Sequence, residues 1–147
     1  MSKKKRLQAP GARSQAGSRA IPRRLLQELS EADYLIRHGR AAEAVEILRP
    51  LEQVYPNRAE VLSGLLLAYH DLNDRRQYLP VCERLVRLRP HDAELALLLA
   101  ATYTQHLAPA QALLAFRRFL ERWPDHPRAS EARQGVAEFE TELYEQL

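Results

Sequence analysis

Arg49-Pro50-Leu51-Glu52-Gln53-Val54-Tyr55-Pro56 decides the reading of this chain, because the same kind of stretch returns twice. Residues 82–90 read CERLVRLRP and residues 117–124 read RRFLERWP. Each is an apolar run with interspersed arginines that ends in proline, and Pro56, Pro90 and Pro124 are spaced 34 residues apart. A fixed period between about 20 and 50 residues marks a stacked structural unit. Residues between the prolines then have equivalent places in successive units.

Apolar positions between these stops recur at helical spacing. Leu25, Leu29, Ala32, Leu35 and Ile36 predict a first helix, opened by Pro22 in its first turn and closed at Gly39. Ala41, Ala44, Val45, Leu48, Leu51 and Tyr55 predict its partner, with Pro50 inside it. A proline there removes a hydrogen bond, and it is expected to kink the helix or strand a carbonyl. The second pair runs from Val61 to Leu72 and from Tyr78 to Leu88, turning at Asn73-Asp74. The third runs from Leu95 to Tyr103, turns at His106-Leu107-Ala108, and resumes at Pro109. A last helix carries Ala132, Val136, Phe139, Leu143 and Leu147 inward, with Glu131, Glu138, Glu140, Glu142 and Glu145 outward. A polar outer face suits the end of a stacked array.

Composition agrees with a helical globular body. Apolar residues make up 46% of the 147, with only 5 Gly and 3 Phe. The single cysteine, Cys82, leaves no internal disulfide framework and suits a reducing compartment, so a cytoplasmic location is expected. No apolar run approaches the ~20 residues that span a bilayer, and the basic N-terminus lacks the apolar segment of a signal peptide. Of the 22 Lys and Arg, eight lie in residues 1–27, where there is no acid; the remaining 14 share the rest of the chain with all 19 Asp and Glu. Residues 1–22 therefore read as a disordered basic tail, with Lys3, Lys4, Lys5 and Arg6 at its head. Such an arm is either solubilising or an electrostatic contact for nucleic acid, a ribosome surface or anionic lipid.

Two helices per 34-residue unit, ended by proline, resemble the tetratricopeptide repeat. In that register the small residue of the first helix falls at Ala32 and Ala100, with Leu66 in the middle unit. The aromatic three later falls at Tyr69 and Tyr103, with Leu35 in the first unit, and the turn glycine at Gly39. The early alanine of the second helix falls at Ala44 and Ala112, with Tyr78 between them. Leu48, Cys82 and Phe116 take the next large position. Leu51, Leu85 and Phe119 stand where the family has a further alanine. The resemblance implies an all-α solenoid of about three helix hairpins over residues 25–58, 59–92 and 93–126, with a capping helix over 127–147. The domain as a whole covers residues 23–147.

The resemblance also implies a concave groove lined by the first helix of each unit. The matching positions are Leu26, Leu29, Asp33, Ile36 and Arg37, then Glu60, Ser63, Leu67, His70 and Asp71, then Glu94, Leu97, Ala101, Thr104 and Gln105. The lysine and asparagine clamp that some family members use for acidic chaperone tails is absent from these positions. The groove suits a protein or peptide segment, apolar or mildly basic, or an amphipathic helix. The basic tail folding back onto Asp33, Glu60, Asp71 and Glu94 is an alternative occupant, and an apolar face also offers a homodimer contact.

No residue pattern points to catalysis, a cofactor or a metal. His38, His70, His91, His106 and His126 form no HxxxH or HExxH pair. Gly64 stands alone in a helix, without a phosphate loop, and no GxSxG elbow occurs. Asp71-Leu72-Asn73-Asp74 lacks the length and closing glutamate of an EF-hand. Cys82 lies on an apolar helix face and reads as core. The expectation is a non-catalytic scaffold or adaptor. The alternative is a nucleic-acid- or ribosome-associated protein whose tail supplies most of the affinity.

Overall fold

The computed structural model describes residues 20–147. Among the described residues the chain forms seven helices and no strand: α1 (Arg23–Arg37), α2 (Ala41–Val54), α3 (Ala59–Asp71), α4 (Arg75–Leu88), α5 (Ala93–Gln105), α6 (Pro109–Arg122) and α7 (Ala129–Glu145). Each helix packs on the next in sequence, and α1 also touches α3. Lys3, Lys4, Lys5 and Arg6, and with them most of the basic stretch 1–22, lie outside the described residues. Ile21, placed by sequence in that stretch, already packs half-buried against the core.

Two kinds of turn alternate along the chain. In the first, α1, α3 and α5 end on a residue of positive φ: Gly39 at 74°, Asn73 at 56° and Leu107 at 53°. The hydrogen bonds are the same each time. The amides of Arg40, Asp74 and Ala108 donate to the carbonyls of Leu35, Tyr69 and Tyr103, at 2.8, 2.9 and 3.0 Å. The amides of Gly39, Asn73 and Leu107 donate to Ile36, His70 and Thr104, at 3.1, 3.0 and 3.1 Å. This is the Schellman closure, which satisfies carbonyls left over at a helix end.

In the second kind, α2, α4 and α6 stop one residue before Tyr55, Arg89 and Trp123, whose φ and ψ are −125° and 68°, −126° and 67°, and −132° and 61°. All three precede a proline, which disfavours helical backbone. Two of the helix starts carry side-chain caps: Asp74 Oδ1 accepts from the Gln77 amide, and Asp92 Oδ1 from the Leu95 amide.

Pro22 differs slightly from expectation, standing just before α1 instead of within its first turn. Pro50 does not end α2, which runs on to Val54. Both Pro50 and Glu46, whose carbonyl it leaves unpaired, are exposed, so water can satisfy that oxygen. Leu48 and Leu51 on the opposite side stay buried.

The buried residues form two clusters. The larger joins Leu25, Ala32, Leu48, Val61, Leu62, Leu65, Tyr69, Cys82 and Leu85 from α1 to α4. The smaller joins Leu97, Ala100, Ala112, Phe116, Phe119, Ala129 and Ala132 from α5 to α7. α5 serves both, since Leu95, Leu98 and Leu99 lean on the larger one. α7 reaches α6 through small buried residues, Ala129, Ala132 and Gly135. A Cβ at Gly135 would come within 2.6 Å of the Phe116 ring. All five outward glutamates of α7 are exposed as expected, but Leu147, expected to face inward, is fully exposed.

Leu107 pays the steric cost of a left-handed residue while its side chain is 88% exposed. Leu107→Gly should therefore stabilise the fold by about 0.5–1 kcal/mol after the entropy of glycine is allowed for, read as a rise of a few degrees in the thermal midpoint followed by circular dichroism. Gly135→Ala should do the opposite. The buried Phe116 ring, with Phe139 at 6.3 Å, has little room to yield, and overpacking by about 1–3 kcal/mol exceeds the roughly 1 kcal/mol gained in helix propensity. A lowered midpoint in the same measurement is expected.

Candidate binding face

The side chains that sequence places in a groove lie on α1, α3 and α5, and their burial differs from one to the next. α3 shows this most clearly. It buries Val61, Leu62, Leu65, Leu66, Ala68 and Tyr69, which leaves Ser63 half-buried and Leu67 and His70 exposed. Leu67 is 52% exposed, and Leu26 on α1 is 51% exposed. Leu29 and Ile36 are half-buried and lean on the larger cluster, with Asp33 half-buried on the same helix. On α5, Ala101 is exposed and Thr104 half-buried, its hydroxyl donating to the Ala100 carbonyl at 3.1 Å.

Leu97 departs from expectation. It is 3% exposed and belongs to the smaller cluster, in company with Ala129 and Ala132 of α7. It is a core residue and takes no part in an open face.

His70 and Ala101 are brought together in a cleft of about 330 Å³ between the ends of α3 and α5. Tyr78, Thr102, Gln105 and His106 also line it, so its walls mix polar and apolar groups. Tyr78 and His106 were not among the predicted groove residues. The signal for Tyr78 was present, since an aromatic stands there in place of the alanines Ala44 and Ala112. His106 is fixed in place by contacts of its two ring nitrogens with the Thr102 and Arg75 carbonyls, each at 3.0 Å.

Two of the four acids expected to colour the groove, Asp33 and Glu94, already pair with an arginine. Asp33 pairs with Arg37, one helical turn on. Glu94 holds Arg128 at 2.7 Å and lies 3.4 Å from His126. Asp71 sits 3.5 Å from the His70 ring. Arg128 also pairs in bidentate fashion with Glu131, which keeps that carboxyl below the usual glutamate range. The face is consequently more apolar and less acidic than its composition suggests.

Beneath the cleft lies Cys82, fully buried. Burial pushes its thiol up to about 11, opposed by the Thr102 hydroxyl. Burial also raises Tyr78, and it raises Tyr103 to about 12 together with the hydrogen bond that the Tyr103 hydroxyl donates to Glu83. Among the described residues, no group of three or more His, Cys, Asp or Glu is placed to hold a metal ion, and no helix is long and apolar enough to cross a membrane. No family model matches this chain, and no curated protein matches it either.

Cys82 yields a prediction in two parts. At pH 8 it should resist a disulfide reagent until the fold opens, because the thiolate is the nucleophile. The folded state also keeps its proton to a higher pH than the unfolded state does. Between about pH 9 and 11 the native state therefore binds more protons, and stability must fall as pH rises through that window. Urea unfolding at pH 8, 9, 10 and 11 should show this decline. Cys82→Ala, less stable at pH 8 through its lost packing, should show a shallower one.

Proposed function

We propose that this chain is a non-catalytic protein-interaction module of the tetratricopeptide type, working in the cytoplasm. In this reading α1 with α2, α3 with α4, and α5 with α6 are three successive 34-residue hairpins, and α7 covers the last. The support is the recurrence of backbone conformation at Gly39, Asn73 and Leu107 and at Tyr55, Arg89 and Trp123, two sets each spaced by that period. A single hairpin cannot bury its own apolar face, and stacking its neighbours on it can.

The proposed activity is capture of a partner segment along the face of α1, α3 and α5. The observation that carries it is the pair Leu26 and Leu67, two leucines half in water on the two helices of this set that touch each other. Single exposed leucines are ordinary on a protein surface. Two on one face, beside the half-buried Leu29 and Ile36 and the cleft at His70 and Ala101, make an apolar track with a polar end. A partner helix or extended segment with apolar anchors matches it. Because Asp33 and Glu94 are already paired, apolar contact should dominate over charge.

The test is a Leu26→Glu, Leu67→Glu double variant. Both sites are exposed enough to accept the change without loss of fold, whereas Leu97→Glu would bury a charge and unfold the chain. A partner captured from cell extract by the intact chain should bind the double variant at least a hundredfold more weakly, about tenfold for each leucine that was worth ~1.4 kcal/mol. Unchanged capture would refute the proposal. Capture that survives the double change but disappears when residues 1–19 are removed, with nucleic acid as the captured material, would assign binding to the basic arm.

A further inference from the structure

A second cavity lies elsewhere, on a different stripe of α5 from the one that carries Ala101 and Thr104. It has a volume of about 240 Å³ and sits between the end of α4, the middle of α5 and the length of α6. Val86, Leu99, Ala115 and Phe119 form an apolar interior, and Arg118 and Arg122 stand at its edge. The volume is below the roughly 300–1,000 Å³ of pockets that enclose whole small-molecule ligands. It is suited to one large side chain delivered by another polypeptide, the usual form of an interface anchor.

The two arginines indicate the chemistry around that side chain. Two other arginines that line cavities of this protein have a carboxylate: Arg40 has Glu43, and Arg117 has Glu140. Arg118 makes no hydrogen bond or ion pair among the described residues. Tyr103, whose ring lines the cavity, donates its hydroxyl to Glu83. Arg122 donates to His91 Nδ1 at 2.8 Å and lies 5.3 Å above the Trp123 ring. Those contacts hold the guanidinium in place without neutralising it, and most of its five N–H groups remain available. Two guanidiniums without a carboxylate partner, beside a mainly apolar recess, are complementary to carboxylates flanking an apolar group, and arginine binds carboxylates in bidentate fashion.

We propose that this cavity is a second docking site, occupied by an aromatic side chain from an acidic segment of a partner protein. It prefers an acidic segment where the face of α1, α3 and α5 prefers an apolar one, and the two sites share no lining residue. The chain can thereby hold two segments at once, one mainly apolar and one acidic with an aromatic anchor.

The experiment uses the full chain and fluorescein-labelled pentapeptides followed by anisotropy. The probe is Glu-Glu-Trp-Glu-Glu, with Glu-Glu-Ala-Glu-Glu and Lys-Lys-Trp-Lys-Lys as controls. The expected result is saturable binding of the first and at least tenfold weaker binding of both controls. Arg118→Gln with Arg122→Gln should weaken the probe at least tenfold, and Leu26→Glu with Leu67→Glu should leave it unchanged. Ala115→Phe, which fills the recess, should abolish binding while both arginines remain. Should that variant fail to fold, the arginine pair, at exposed sites, still decides the question. The proposal is overturned by no saturable binding up to millimolar peptide, by equal binding of the alanine peptide, or by indifference to the arginine changes. Self-association of the chain that competes with the peptide, and is lost with the two arginines, also counts against a separate partner. It would place Tyr144 of a second copy, flanked by Glu142 and Glu145, in the recess.

Discussion

A residue that precedes proline is disfavoured in helical backbone by the proline ring, and α2, α4 and α6 each end at such a residue, although Arg49 and Leu79, before Pro50 and Pro80, stay helical. Tyr55, Arg89 and Trp123 hold nearly the same dihedral angles, and each amide still donates to the carbonyl four residues back, Leu51, Leu85 or Phe119. The chain leaves each helix in the same direction. After Tyr55 and Arg89 the next helix begins four residues on, at Ala59 and Ala93. After Trp123 it begins six residues on, at Ala129, because Pro127 imposes the same restriction on His126. His126 occupies the added loop with its ring packed edge to face on Phe119, 5.4 Å between ring centroids, and its Nε2 near Glu94. A second proline thus places α7 differently from α3 and α5, and its small residues Ala132 and Gly135 then allow the close approach to Phe116.

The alternate turns rest on a different constraint, a single residue in left-handed backbone. Three residue types fill that one conformation. Glycine enters it freely, asparagine tolerates it, and leucine is strained in it. Gly39 and Asn73 announce their turns by type. Leu107 does not, and its place is legible only because the 34-residue period puts it in register with the other two. Local residue preference and long-range period are separate signals, and here the second rescues the first. Pro50 is the reverse case. Its type argues for a broken helix, yet its position on the wet side of α2 makes the missing hydrogen bond tolerable.

The same period is less reliable for the binding face, and the set Leu29, Ser63 and Leu97 shows why. These positions are 34 residues apart and occupy equivalent places on α1, α3 and α5, but the first two are half-buried and the third is buried. Register fixes the direction in which a side chain leaves its helix. Burial depends also on what lies beside it, and α7 adds Ala129 and Ala132 to the surroundings of Leu97. Leu67 remains exposed because α3 already buries six residues on its other sides. Tyr78 sits in a second helix, where sequence alone does not separate an aromatic in the core from one lining a cleft. The smaller cavity by Arg118 was illegible for a related reason: it is defined by three helices together, and no stretch of sequence contains it.

Charge needs the same care. By count, the chain beyond residue 27 is acidic, which suggests attraction for basic partners. By contact, Asp33, Glu43, Glu52, Glu94, Glu131 and Glu140 each lie against an arginine. All but the partly buried Glu52–Arg84 pair are exposed, and such pairs contribute little to stability, about 0–1 kcal/mol each, but they do decide what a partner meets. A paired carboxylate offers weak attraction to a cation, since any new contact has to compete with the one already made. An arginine without a carboxylate offers its full charge, and more of it beside an apolar recess, where water screens less. The local electrostatic preference of this surface therefore follows from which charges lack a partner, and near α6 the resulting sign is the opposite of the one the composition gives.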